Sequence, residues 1–131
     1  MIRIAAILTC LTLAGCGTAS TQNAPAVGPG AGITLGVGEA ASLEGTSVSL
    51  RFLGVIEDSR CPTDTTCVWA GEVKVNFEIL ERSKDSSTVE LKIGESTKAG
   101  SRVITLQQVE PQPRSNVRIA ANGYRATLKI E

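Results

Sequence analysis

The chemistry available to this chain is concentrated in Asp58-Ser59-Arg60-Cys61-Pro62-Thr63-Asp64-Thr65-Thr66-Cys67-Val68-Trp69-Ala70-Gly71, a stretch that holds the single tryptophan of the protein. Cys61 and Cys67 could close a disulfide or cycle as a redox pair. Glu57, Asp58 and Asp64 could offer oxygen ligands to a divalent cation, and Arg60 could hold an anion. The bridge is the favoured expectation for the cysteines, because active dithiols usually sit as Cys-x-x-Cys at a helix N-terminus, and here five residues intervene with no helical pattern nearby. Pro62 fixes one φ angle and the polar run Thr63 to Thr66 suits the tip of a tight bend, so the two Cβ atoms can reach bridging range. The acidic residues lack the alternating ligand order and the glycine of a calcium loop, which leaves them as solvated turn residues. Arg60 is expected to pair with Asp58 or a neighbouring carboxylate. Trp69 is expected to pack on the bridge and close one end of the core, as a buried tryptophan does beside a disulfide in other sandwiches. The alternative for Trp69 is an exposed anchor for a partner, with Gly71 permitting close backbone approach.

The strongest functional signal is negative. The chain has no histidine, which removes Ser-His-Asp and Cys-His catalysis, the common general base near neutral pH, and most zinc and copper sites. Nothing singles out a glycosidase-type carboxylate pair among the thirteen acidic residues. No catalytic residue, metal site or cofactor is therefore expected, and the protein reads as a non-enzyme.

The elements that position this stretch begin with a leader. Arg3 supplies a minimal positive charge, and Ile4 to Leu13 form an apolar run too short to span a bilayer as a mature helix. At its end Leu13-Ala14-Gly15-Cys16 resembles the lipobox of bacterial lipoproteins. That resemblance implies cleavage after residue 15, acyl chains such as palmitate on Cys16, and a mature protein beginning there. At roughly 0.8 kcal/mol per buried CH₂, two or three such chains hold a protein on a membrane far more firmly than one myristoyl group. Gly17 stands where an aspartate is the usual inner-membrane retention signal of Gram-negative lipoproteins. The expected location is thus the cell envelope, on the outer membrane facing the periplasm if the source has one. With Cys10 lost and Cys16 acylated, Cys61 and Cys67 remain as a pair in an oxidising space.

Residues 16–32 carry no charge, periodicity or large apolar side chain and are expected to be a tether. About fifteen such residues have a root-mean-square reach of roughly 20 Å and an extended limit near 50 Å. Residues 33–131 are expected to form one domain with one modest core. Thirteen basic and thirteen acidic residues balance in the full chain; removing Arg3 leaves a slight acidic excess. That balance, with so few aromatic residues, excludes a nucleic-acid surface.

Period-two alternation dominates the domain. Val73, Val75, Phe77 and Ile79 alternate with Lys74, Asn76 and Glu78, and Val89, Leu91 and Ile93 alternate with Glu90 and Lys92 across the turn Ser83 to Ser87, predicting an antiparallel hairpin. Val48, Leu50, Phe52 and Ile56 predict a longer strand, preceded by short ones at 33–37 and 40–43. Arg102 to Val109 and Tyr124 to Ile130 are further strands. Asn122-Gly123 is a type I′ turn signal that would pair 117–121 with the last strand. Pro111-Gln112-Pro113 excludes a central strand and is expected to mark a crossing between sheets. No helical spacing is sustained, so the expected fold is an all-β sandwich of six to eight strands, with a small β-barrel as its rival.

Cys61-Pro62, Cys67-x-Trp69-x-Gly71, Leu106 to Val109, Pro111-Gln112-Pro113 and Tyr124 together resemble a group of small bacterial secreted proteins and lipoproteins that share Cys-Pro-x4-Cys-x-Trp-x-Gly. The resemblance covers most of the domain and implies export and a β fold, but no catalytic or binding residues. The leading functional expectation is a membrane-tethered, non-enzymatic domain that binds another envelope protein or stabilises an envelope assembly. The alternatives are a small-ligand module or hydrolase inhibitor presenting the Cys61 to Cys67 loop and, last, a carboxylate- or metal-dependent enzyme.

Overall fold

The structure, a computed structural model, describes residues 24–131. The leader, Cys16 and most of the expected tether lie outside the described residues. Nine strands follow one another: β1 (Ala26–Val27), β2 (Gly32–Gly36), β3 (Ala40–Leu43), β4 (Val48–Asp58), β5 (Val73–Glu81), β6 (Ser87–Lys92), β7 (Ser96–Ala99), β8 (Arg102–Glu110) and β9 (Arg125–Ile130). They form a five-stranded sheet in the order β1-β3-β4-β5-β6 and a four-stranded sheet in the order β2-β9-β8-β7. All neighbours are antiparallel except β1 and β3. The two sheets pack face to face as a sandwich, and no barrel closes.

The alternating residues meet between the sheets. Leu50, Phe52, Val75 and Phe77 from one sheet and Ile104, Leu106, Ala126 and Leu128 from the other are essentially fully buried. Phe52 and Phe77 are directly opposed on β4 and β5, with ring centroids 5.2 Å apart and planes tilted by 37°. Such a pair adds about 1 kcal/mol to the area it buries. Among the described residues no polar or charged residue is fully buried.

The β4 ladder to β5 is broken twice. Register shifts between Phe52 and Gly54 and between Val55 and Glu57 leave Leu53 and Ile56 without partners on β5. A bulge inserts one residue and re-aims the side chains around it. Leu53 and Ile56 stand exposed as a result, so the inward place expected for Ile56 is corrected. The second shift returns Asp58, opposite Val73, to the core-facing side at the end of the strand.

Several boundaries also differ from expectation. Ala26–Val27 pairs with Ser42–Leu43 and Val27 is buried, so the folded part starts inside the stretch read as tether. Gly and Ala around Val27 hid a strand only two residues long. Ile93 is exposed because β6 ends at Lys92 and the chain turns at Gly94, whose φ is +88°. Asn122-Gly123 makes no I′ turn: it sits in a short 3-10 turn, Ala121–Gly123, and Gly123 lacks the positive φ that a I′ turn needs. The last strand pairs instead with β2 and β8. Residues 111–124 join β8 to β9 within one sheet, so Pro111-Gln112-Pro113 does not mark a crossing between sheets.

Candidate functional site

The two longest connections, 59–72 and 111–124, leave the same end of the sandwich. Residues 59–72 begin as an extension of the β4–β5 hairpin. The Ser59 amide donates to the Glu72 carbonyl at 2.8 Å, and the Cys61 amide to the Ala70 carbonyl at 3.0 Å. Gly71 lies inside this extension with a φ of +66°, and a Cβ there would come within 1.7 Å of the Ser59 carbonyl oxygen. Only glycine fits so close a backbone crossing. Beyond it Cys61 and Cys67 are bridged, with their Cα atoms 5.9 Å apart.

Contacts with the second loop fix the tip. The Thr63 amide donates to the Pro113 carbonyl at 2.9 Å. Asp64 accepts from the Ser115 amide at 2.8 Å through one carboxylate oxygen and from the Ser115 hydroxyl at 2.6 Å through the other. Those two bonds hold the Asp64 carboxyl below the usual carboxylate range.

Asp58 and Arg60 lie at the base. The Asp58 carboxylate accepts from Arg60 Nε at 2.8 Å and Nη2 at 2.7 Å, the bidentate geometry that makes arginine pairs strong. Tyr124 donates its hydroxyl to the same carboxylate at 3.1 Å. The remaining guanidinium donors reach the Val109 carbonyl at 2.8 Å and the Pro111 carbonyl at 3.1 Å. Both side chains of the ion pair are only 11% exposed. Burial alone would raise the Asp58 pKa, but the Arg60 hydrogen bonds and charge, with the Tyr124 bond, outweigh it and the carboxyl titrates below its ordinary value. Burial and the adjacent Asp58 charge push the Tyr124 phenol up. Arg60 is therefore spent on tying β4 to the end of β8, and the geometry gives it no open face for an anion.

Trp69 is placed otherwise than expected. It is 80% exposed, and the neighbouring Val68 is 91% exposed. The role of closing the core is corrected on that ground. The hairpin extension carries the bridge clear of the sandwich, and the end of the core is covered by the expected Asp58–Arg60 pair together with Tyr124, which the sequence had not placed beside it. Tyr124, on the flank of β9, and Ser115 were missed as partners; sequence offers no signal for a contact across more than fifty positions. The acidic residues separate rather than cluster: Glu57 pairs with Lys74 at 3.0 Å, Asp58 with Arg60, and Asp64 with Ser115. Among the described residues no group of three or more potential ligands is placed to hold a metal ion.

No family model, curated protein or solved structure matches this chain. The site must be read from its own geometry. It is a loop stapled by a disulfide, held at its base by an ion pair and at its tip by a second loop, with two adjacent apolar side chains exposed just past the bridge.

Proposed function

We propose that the protein is a lipid-anchored component of a bacterial envelope, tethered through Cys16, whose β-sandwich is a non-enzymatic binding domain with the Cys61–Cys67 loop as its contact element. The observation that carries the reading is Trp69, exposed just past the bridge on a loop whose tip is held by a second loop. A large aromatic left in water beside a cross-link is a residue type and setting that can dominate binding energy when a contact forms. The anchoring half rests on Leu13-Ala14-Gly15-Cys16, and the missing histidine supports the non-enzymatic half.

The test is site-specific photo-crosslinking in the intact envelope. A photoreactive residue at position 69 should give adducts with another envelope component, protein or lipid, whereas the same residue at Lys84, in the turn at the opposite end, should not. Equal labelling from both positions, or none from 69, would overturn the binding role of the loop. Inhibition of a secreted hydrolase uses the same rigid, convex loop, and a hydrolase as the captured protein would select that reading.

A further inference from the structure

Chain direction turns the approach to β1 toward the end of the domain that carries the Trp69 loop, although β1 itself lies level with the start of β4. β1 runs parallel to β3, and β3 antiparallel to β4. The chain therefore enters β1 travelling away from the end toward which β4 runs. Ala24 and Pro25, just before β1, line one open groove with Gly38, Glu39 and Ala40 of the β2–β3 turn, which is level with Phe52, midway along β4. Ala24 and Pro25 thus lie on the side of β1 toward which β4 runs.

The exposed apolar side chains share this polarity. The six large ones among the described residues are Leu53, Ile56, Val68, Trp69, Ile93 and Val117. Leu53 and Ile56 are the residues thrown out by the β4 bulges past Phe52. Val68 and Trp69 lie on one loop just past the bridge, and Val117 lies on the other. Ile93 follows Lys92, which is joined through Lys74 to the last turn of β4. The half of the sandwich around the β3–β4, β5–β6 and β7–β8 turns has none of them.

Lengths agree as well. Ten peptide steps from Cys16 to Ala26 span at most about 35 Å. Ala26 lies level with Ser49 through Ser42. From there β4 advances nine residues to Asp58, two of them absorbed by the bulges, or roughly 23 Å. The hairpin extension to Cys61 adds roughly 10 Å more. A chain anchored at Cys16 is thus just long enough to let the loop tip touch the surface that holds the anchor.

We infer that the component contacted by Val68 and Trp69 is the lipid interface of the protein's own membrane, with the domain standing loop-end down and Trp69 seated among the headgroups as a second, non-covalent foothold. Tryptophan favours that depth because its ring is apolar and its N–H still finds water or headgroup oxygens. The loop beside it carries Arg114 and Arg118, both exposed, but the preference of tryptophan for the interface does not depend on lipid charge. The inference rests on the anchoring proposed above and names the partner left open there.

Because Trp69 is the single tryptophan, its own fluorescence is the probe. The lipidated full-length protein is reconstituted into protein-free vesicles of zwitterionic lipid, and emission, iodide accessibility and quenching by lipids brominated at graded depths are measured after flotation. The expected result is a blue-shifted emission, lowered iodide accessibility and strongest quenching by the shallowest brominated lipid. Val68→Asp, at a solvent-exposed position, should move all three back toward the values in water while the protein still floats. Protein that floats with Trp69 fully open to iodide overturns the foothold and leaves the anchor standing. Failure to float overturns both. Shielding that appears only when envelope proteins are added back overturns the lipid assignment in favour of a protein partner.

Discussion

Trp69 and Gly71 stand two residues apart and face opposite constraints. Trp69 touches mostly solvent, so Trp69→Ala should change stability by less than about 0.5 kcal/mol, as at other surface sites. Gly71 holds a φ of +66° with the Ser59 carbonyl oxygen where a Cβ would sit. Gly71→Ala should therefore cost more than about 1 kcal/mol through backbone strain and a forced shift of the hairpin. Urea unfolding of the two variants measures the contrast, and a large loss from Trp69→Ala would contradict the exposed position. At the base of the same loop, Asp58 titrates below its ordinary value in the folded protein. A carboxylate depressed in this way adds stability that is fully present above about pH 4, the unfolded value, and is lost as the pH falls through the lower folded value. Asp58→Asn should then lower stability at neutral pH and flatten the acid limb of the stability curve. Unfolding midpoints taken across that acid range check it; an unchanged acid limb would show that the ion pair is not coupled to folding.

At the scale of elements, the hairpin formed by β5 and β6 and the alternation in β4, β8 and β9 were legible because burial on one face imposes a period of two that side-chain chemistry records directly. The bridge was legible from spacing and the proline. Three things were not. The two bulges in β4 break the period inside a strand, and sequence alone does not say which residue is the extra one. β7 (Ser96–Ala99), at a sheet edge, buries only Ala99, so it carries no apolar pattern. Trp69 was misplaced because a tryptophan next to a disulfide reads as core, whereas here hydrogen bonds past the end of β4 lift the bridge outside the sandwich. That arrangement has an energetic consequence. Cys61→Ser with Cys67→Ser should cost about 2 kcal/mol, the loop-entropy value for so short a ring. The loss should be confined to the loop, with hydrogen exchange accelerating at Thr63 and Thr65 while the amides of β5 keep their protection. Accelerated exchange throughout β5 would mean that the bridge supports the core after all.

For the whole molecule, the parallel pairing of β1 fixes the direction in which the described chain enters the sandwich. The same two residues do a second job. The Ser42 amide donates to the Pro25 carbonyl and the Glu44 amide to the Val27 carbonyl, each at 2.9 Å, so β1 occupies the outer edge of β3. Without it that edge would offer unpaired backbone groups to any extended chain nearby, the usual route to strand-by-strand aggregation. A chain beginning at Gly32 should be less stable than one beginning at Ala24 and should self-associate on standing, by light scattering, at concentrations where the longer chain stays monodisperse. Equal monodispersity of the two would show that β3 needs no cover. On a membrane the point is sharper than in solution. Under the anchoring proposed above, copies would be confined to two dimensions at high local density, and a bare edge would meet its like far more often there. The two residues of β1 would then act as a gatekeeper for that edge.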